Sequence, residues 1–435
     1  MRTIWGLVLV SACGFKPTAG GTSDGGNGDG MADVFVEIDA HVGDAPALCS
    51  TWHPNDFEPC SIGSPMGEVH LTAAGSPYVY DTTVMGGELR DKNGTVLMSS
   101  PLTLMQADNT FVALLSIDKL TIDATVKWNV IGTKPLIVAS WSTIAIAGDL
   151  DAGSHETEVD MATRTDASSQ VGAGALDALT CGTRAGSPGF DAASSGGSGG
   201  GGGGAFGGGG GTGAVGDTGC SSSPCPRPGG PGGMALATRP TSYHGGCPGG
   251  AGGKAGTGAS APADQNTVAL GGAGGGAIVL AARMDIQISG VVRAGGAGGA
   301  GAPLHTAGGG GGGGAGGYLG FDAQTLDVMG TGVVAANGGG GGGSAPFTTG
   351  NAYGNIGTDG QPSGTAAPGG PAQASGCGLA GASGSAGATL VGTTATGNDA
   401  CGGGGGGGGA GYIVVRAQTF DHGGSTIVSP TAIEP

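Results

Sequence analysis

Positive charge and aromatic side chains are what this sequence has least of. Lys and Arg number 15 against 32 Asp and Glu, a formal charge of −17, which repels phosphate-rich surfaces and excludes nucleic acid and anionic lipid as partners. Charged residues make up 11% of the chain and aromatics 4%, too few for a long solvated helix or a coiled coil. No stretch reaches the ~18 apolar residues of a membrane-spanning helix. Motif spacings that would mark catalysis or cofactor binding are missing as well. There is no HExxH, no CxxC pair, no GxxxxGK[ST], and no GxGxxG that follows a strand and opens a helix.

What the sequence has in excess is glycine, 105 of 435 residues, to which proline adds 23. The glycines follow no Gly-X-Y period, so collagen is excluded. Apolar residues still make up 38% of the chain, more than a disordered, charge-rich polymer carries. A core is therefore affordable, but glycine contributes no side chain to it.

The N-terminus reads as an export signal. Arg2 gives one positive charge, Ile4 to Val10 are mainly apolar, and the small residues Ser11 and Ala12 precede Cys13. Val10-Ser11-Ala12-Cys13 resembles a bacterial lipobox, which implies lipidation of Cys13 and anchoring through its acyl chains. Gly14 stands where an inner-membrane retention signal would carry Asp, so the resemblance implies the outer membrane or cell surface. Eight further cysteines, an even number in an exported chain, are disulfide candidates: Cys49, Cys60, Cys181, Cys220, Cys225, Cys247, Cys377 and Cys401. Cys49 and Cys60 flank a short segment far from the rest and are expected to pair. The other pairings stay open. His244 beside Cys247 is a lone hint of metal, and neither a metal nor a cofactor is expected.

Composition divides the chain into a signal peptide (1–13), an acidic linker (14–48), a small β-rich segment with a Cys loop (49–110) and a first repeat region (111–180). A glycine-rich, cysteine-containing insertion (181–276) and further repeats alternating with glycine (277–435) follow. The linker briefly imitates a calcium loop, but Gly25 and Val36 fall where an EF-hand needs Asp and Glu. Leu120-Thr121-Ile122 and Ile144-Ala145-Ile146 share a 24-residue offset, and the motif returns at Ile286-Gln287-Ile288 and Leu326-Asp327-Val328. Short alternating strands at this period predict an all-β, parallel β-solenoid, with a β-sandwich as the alternative. Two inward columns are expected, Ile122/Ile146/Ile288/Val328 and Val126/Leu150/Val292/Val334, with Leu114 falling on Val138.

The glycine runs lie between these repeats. Polyglycine II helices, with three residues per turn and no internal hydrogen bonds, would let them pack side by side and satisfy their backbone groups. Partial mobility or full coil are the alternatives.

Catalysis finds little support at equivalent repeat positions. Asp123, Ala147, Ser289 and Met329 line up, as do Asp149, Val291 and Val333, with no second carboxylate recurring beside the first. Asp149 and Asp151 form the best acidic pair and read as turn-formers. No catalytic residue is assigned. The lipobox-like start, the acidic tether, the Cys49–Cys60 loop with Trp52 and Phe57, and Leu136 to Ile144 ahead of glycine blocks that close on strands carry one further resemblance. The chain is similar to glycine-rich surface lipoproteins of myxobacteria-type soil bacteria, often labelled "PE-PGRS-like" on composition. That resemblance implies an exported β-rich protein and supplies no catalytic residues. The expectation is a lipid-anchored scaffold or adhesin meeting polysaccharide or another cell-surface component, the alternative a degenerate carbohydrate-active β-helix protein that binds or cleaves polysaccharide.

Overall fold

Strands dominate because short Val- and Ile-rich runs recur between turns, and the fold is all-β. The computed structural model describes residues 49–156, 170–192, 196–217, 226–254, 267–303, 307–346, 353–372, 377–397 and 401–434. Cys13, Cys220, Cys225 and the 14–48 linker lie outside the described residues.

The chain opens with β1 (Glu68–Leu71), β2 (Tyr78–Asp81), the hairpin β3 (Glu88–Arg90) and β4 (Val96–Ser99), and β5 (Thr103–Met105). Three-strand sets follow: β6 (Phe111–Ile117), β7 (Lys119–Ile122) and β8 (Lys127–Ile131), then β9 (Leu136–Ser140), β10 (Ile144–Ile146) and β11 (Asp149–Asp151). After the long insertion come β12 (Ala277–Ala282), β13 (Asp285–Ile288) and β14 (Val291–Arg293). In the last sets the first two strands fuse, giving β15 (Tyr318–Val328) with β16 (Val333–Ala335) and β17 (Tyr412–His422) with β18 (Ile427–Ser429).

Successive sets pair in parallel. One ten-stranded sheet runs β1-β7-β10-β13-β15-β12-β9-β6-β5, with β17 on β15, and an eight-stranded sheet runs β18-β16-β14-β11-β8-β2-β3-β4. The antiparallel members β3, β4 and β5 make both sheets mixed. Because β1 pairs β7 and β2 pairs β8, both sheets continue through residues before 110.

The expected column Ile122, Ile146, Ile288 and Val328 stands in register. Two other expectations are corrected. Leu150 pairs with Trp128, not Val126, and Leu114 pairs with Ile137, not Val138. The physical reason for the first is corner length. Six positions separate Ile122 from Trp128, against four from Ile146 to Leu150. The longer corner contains Thr125 at φ 71°.

Burial follows patterning. In β7 and β13 only alternate residues are buried, whereas β9 and β12 are buried throughout. The inner faces of both sheets share one core of Leu120, Ile122, Trp128, Leu150, Ile288 and similar residues. On the outer face of β6, β9, β12, β15 and β17, residues such as Ile137, Val279 and Tyr318 meet Trp52, Trp141 and Phe206 in a second cluster. A strand covered on both faces loses its polar alternation, which is why Leu136-Ile137-Val138-Ala139 reads as an unbroken apolar run.

The glycine runs continue the strands. Residues 308–317 lead directly into β15 and residues 402–411 into β17, while 294–302 and 336–344 leave β14 and β16. Gly311, Gly314 and Gly317 donate to the carbonyls of Ala300, Ala297 and Ala294, so the outgoing and returning legs of one insertion lie side by side. Every third residue faces the same neighbour. In the run 199–204, Gly199 and Gly202 donate to Phe190 and Ser187, Gly200 and Gly203 to Ala214 and Gly211, and Gly201 and Gly204 to Gly310 and Gly313. The same run accepts from Gly250 and Gly253, from Gly230 and Gly233, and from Gly406 and Gly409. Six segments therefore surround it, three as acceptors and three as donors, and no bond forms within the run.

Glycine is required here by distance. A Cβ on Gly203 would lie 1.9 Å from the Gly407 carbonyl oxygen, and one on Gly201 would lie 2.0 Å from that of Gly250. Proline marks the rim. Pro228, Pro231, Pro368 and Pro371 are exposed and spaced by three within each segment. Their carbonyls still accept, from Phe190, Ser187, Thr358 and the Asn355 side chain respectively. A ring that faces solvent forfeits no donor and presets the extended φ.

Candidate functional site

A cluster of buried charge lies under the Cys49–Cys60 loop. The disulfide forms as expected across a separation of 11 residues, and Trp52 packs edge-on against Phe57 and Trp141, seating the loop on the sheet. Asn55 docks it further by donating its backbone N–H and its Nδ2 to Asp322 Oδ2 at 2.9 and 2.8 Å. Next to it, Asp56 Oδ1 accepts from Arg416 Nη1 at 2.7 Å and from the Tyr243 hydroxyl. Burial pushes the Asp56 carboxyl above its ordinary range, against the opposing charge of Arg416. Burial also pushes the neighbouring Tyr318 hydroxyl up to about 12. Asp56 Oδ2 and Arg239 Nη1 are buried without a hydrogen-bond partner among the described residues.

Between this loop and the sheet opens a crevice of about 200 Å³ whose lining includes Thr51, His53, Arg283, Asp322, Gln324 and Gln418. Its floor comes from neighbouring strands. Ala323 pairs with Ala417 and Thr325 with Thr419, which puts Gln324 and Gln418 at equivalent positions. Arg283 Nη2 reaches Thr51 Oγ1 at 3.3 Å, joining floor to roof.

A second, open groove of about 410 Å³ crosses β7, β10 and β13. Asp123, Ala147, Ser289 and Met329, expected to line up, all border it. Small side chains at Ala145 and Ala147 leave a trough between Thr121 on one strand and Gln287 on another. Asp123 is held by His70 Nε2 at 2.9 Å.

Asp149 and Asp151 belong to a third cluster. Arg293 Nη2 lies 2.7 Å from Asp151 Oδ2 and 3.4 Å from Asp149 Oδ2. His155 bridges Asp151 at 2.7 Å and Asp359 at 2.9 Å through its two ring nitrogens. Asp359 in turn accepts from the backbone N–H groups of Glu156 and Gly298, tying a glycine segment to the end of β11. The turn-forming role expected for Asp151 is met through Gly153 N–H at 2.8 Å, but the pair's principal partners are Arg293 and His155. The hydrogen bonds from Asp151 and then Asp359 push the His155 pKa up to about 9. Asp149 is raised, because burial outweighs the charge of Arg293.

Two further disulfides, Cys181–Cys247 and Cys377–Cys401, staple glycine segments. With Cys247 bonded and His244 Nε2 on Asp108 at 2.6 Å, those two residues do not form a metal site. Among the described residues no group of three or more His, Cys, Asp or Glu is arranged to hold a metal ion. No helix among them is long and apolar enough to cross a membrane.

The expectation that no GxSxG nucleophile elbow is present is corrected: Gly196-Gly197-Ser198-Gly199-Gly200 has that spacing, as does Gly21-Thr22-Ser23-Asp24-Gly25 outside the described residues. Ser198 is fully buried, donates to the Gly253 carbonyl at 2.6 Å and accepts from Gly309 N–H at 2.7 Å. It fills a place in the glycine packing. Asn55, Asp56, Asp322 and Arg416 also went unmarked, because partners 267 and 360 positions apart leave no local spacing signal.

Comparison with protein-family models, curated proteins and solved structures returns no match. The class defined by fold and chemistry is therefore a disulfide-stapled, all-β protein with a glycine-packed flank.

Proposed function

We propose that the chain is a parallel β-solenoid whose insertions fold as polyglycine II helices, and that it acts as a non-catalytic, lipid-anchored scaffold or adhesin at the cell surface. The observation that carries this reading is the hydrogen-bond pattern of the glycine runs, with donors and acceptors shared among six neighbours at a period of three. Coil would leave these groups to water and stay mobile. A packed bundle gives a stiff wall, and stiffness suits a display role better than turnover. The in-register parallel pairing from β7 through β10 and β13 to β15 supports the solenoid over a sandwich. Disulfides support an oxidising, extracytoplasmic setting.

Lipidation at Cys13 is tested by palmitate labelling in the producing cell. Cys13→Ala is expected to abolish the label and move the chain from the membrane to the soluble fraction. Retained label would overturn the anchor. For the adhesin role, beads coated with the full chain are expected to retain envelope polysaccharide at least several-fold above beads carrying the heat-denatured chain. Equal retention would remove that role and leave a purely structural one.

A further inference from the structure

We propose that the crevice beneath the Cys49–Cys60 loop is a saccharide subsite that takes one neutral hexose unit of a polysaccharide. The proposal rests on the adhesin reading and names its point of contact. Three features of the crevice support it.

First, the site is built before any ligand arrives. Its roof is closed by a disulfide and pinned to Asp322 by two hydrogen bonds from Asn55, while Asp56 is clamped by Arg416. Asp322 is 8% exposed, so its position is fixed. Preorganisation of this kind lowers the ordering cost of binding.

Second, the functional groups match hydroxyls. Gln324 and Gln418 are exposed, and among the described residues their carboxamides have no hydrogen-bond partner. They stand on adjacent strands, about 4.8 Å apart. A carboxamide both donates and accepts, as a sugar hydroxyl does. Two on neighbouring strands can engage two hydroxyls of one ring, and Asp322 and His53 offer further polar edges.

Third, charge and size select the ligand. The carboxylate of Asp322 and the guanidinium of Arg283 offset each other, so the crevice favours a neutral guest over an anion or a cation. Its volume of about 200 Å³ is below the ~300–1,000 Å³ of pockets that enclose drug-sized ligands. One ring fits, with the rest of the polymer outside.

The test uses the full chain, titrated calorimetrically with cellohexaose, maltohexaose and mannohexaose. At least one should bind the wild type. The double variant Gln324→Ala/Gln418→Ala should weaken that binding about tenfold or more, the loss of two hydrogen bonds of ordinary strength. Both side chains are exposed, so the melting temperature should stay unchanged. Gln287→Ala, in the open groove, should bind as the wild type does. Binding that is unchanged in the double variant, or lost equally in Gln287→Ala, would overturn the crevice. So would a wild type that binds none of the three at millimolar concentration. Polysaccharide retention by coated beads separates the two ideas: if it persists while the hexaoses fail, only the crevice falls, and if both fail the adhesin reading falls with it.

Discussion

Gly405→Ala is expected to unfold or severely destabilise the glycine bundle, while Gly209→Ala is expected to be neutral. A Cβ at Gly405 would stand 1.9 Å from the Gly311 carbonyl oxygen and 2.5 Å from its carbon. No rotamer relieves that clash, because both partners are backbone. The two segments must separate by more than about an ångström, and Gly405 N–H would be drawn from Gly342 O, now at 2.8 Å. The Ala382 N–H that Gly405 O accepts at 2.8 Å would be strained in the same movement. Overpacking of about 1–3 kcal/mol and the cost of unpaired buried peptide groups together come to roughly 3–5 kcal/mol.

At Gly209 the nearest atom to an added Cβ is the Gly233 carbonyl oxygen at 3.6 Å, an ordinary contact. Alanine there restricts the unfolded chain and is worth roughly 0 to 1 kcal/mol of stabilisation. Its neighbour Gly210 faces inward, with the Gly203 oxygen 2.0 Å from the Cβ position, and Gly210→Ala should behave like Gly405→Ala. Urea unfolding of the three variants measures the difference. Equal midpoints for Gly209→Ala and Gly210→Ala would mean that the run is not packed with a period of three.

That contrast within one run of five glycines also shows where the sequence stops informing. The inward column from Ile122 to Val328 was legible because apolar identity recurs at a fixed offset and every member sits in the same register. Trp128 replaced Val126 because the corner holding Thr125 is longer, and corner length carries no apolar signal. Glycine runs are less legible still. Gly209 and Gly210 are the same residue in the same context, and only the neighbours at Gly233, Val391 and Gly203 distinguish them. The crevice was half visible, since Cys49, Trp52, Phe57 and Cys60 announced a packed loop. What the loop closes over, Asp322 and Arg416, is set by how many residues the insertions use before returning to β15 and β17. Charge pairs of this kind depend on topology, and a sequence with so few ions gives no density of charge from which to read them.

The cluster around His155 follows from the same topology and gives the chain a defined alkaline weakness. His155 is expected to hold a proton on both ring nitrogens, since each faces a carboxylate oxygen, Asp151 at 2.7 Å and Asp359 at 2.9 Å. Its pKa is pushed up to about 9 by those bonds, while partial burial opposes the shift. Burial alone would raise Asp151, but His155 and Arg293 outweigh it and hold that carboxyl below its ordinary range. The sign then follows. A histidine whose folded pKa lies above the unfolded ~6.5 contributes its full stabilisation below that value and loses it as pH rises through about 9. The gap between about 9 and 6.5 is worth at most about 3 kcal/mol. Stability should therefore fall between pH 6.5 and 9. Deprotonation would leave Asp151 and Asp359 facing an imidazole that can donate to only one of them, and Asp149 raises the local negative charge further. His155→Gln should lower stability near pH 6 and flatten the decline between 6.5 and 9, because glutamine has no proton to lose in that range. Denaturant midpoints measured at half-unit intervals of pH would show it. A wild-type curve already flat across that range would mean that the ring is not shared between the two carboxylates.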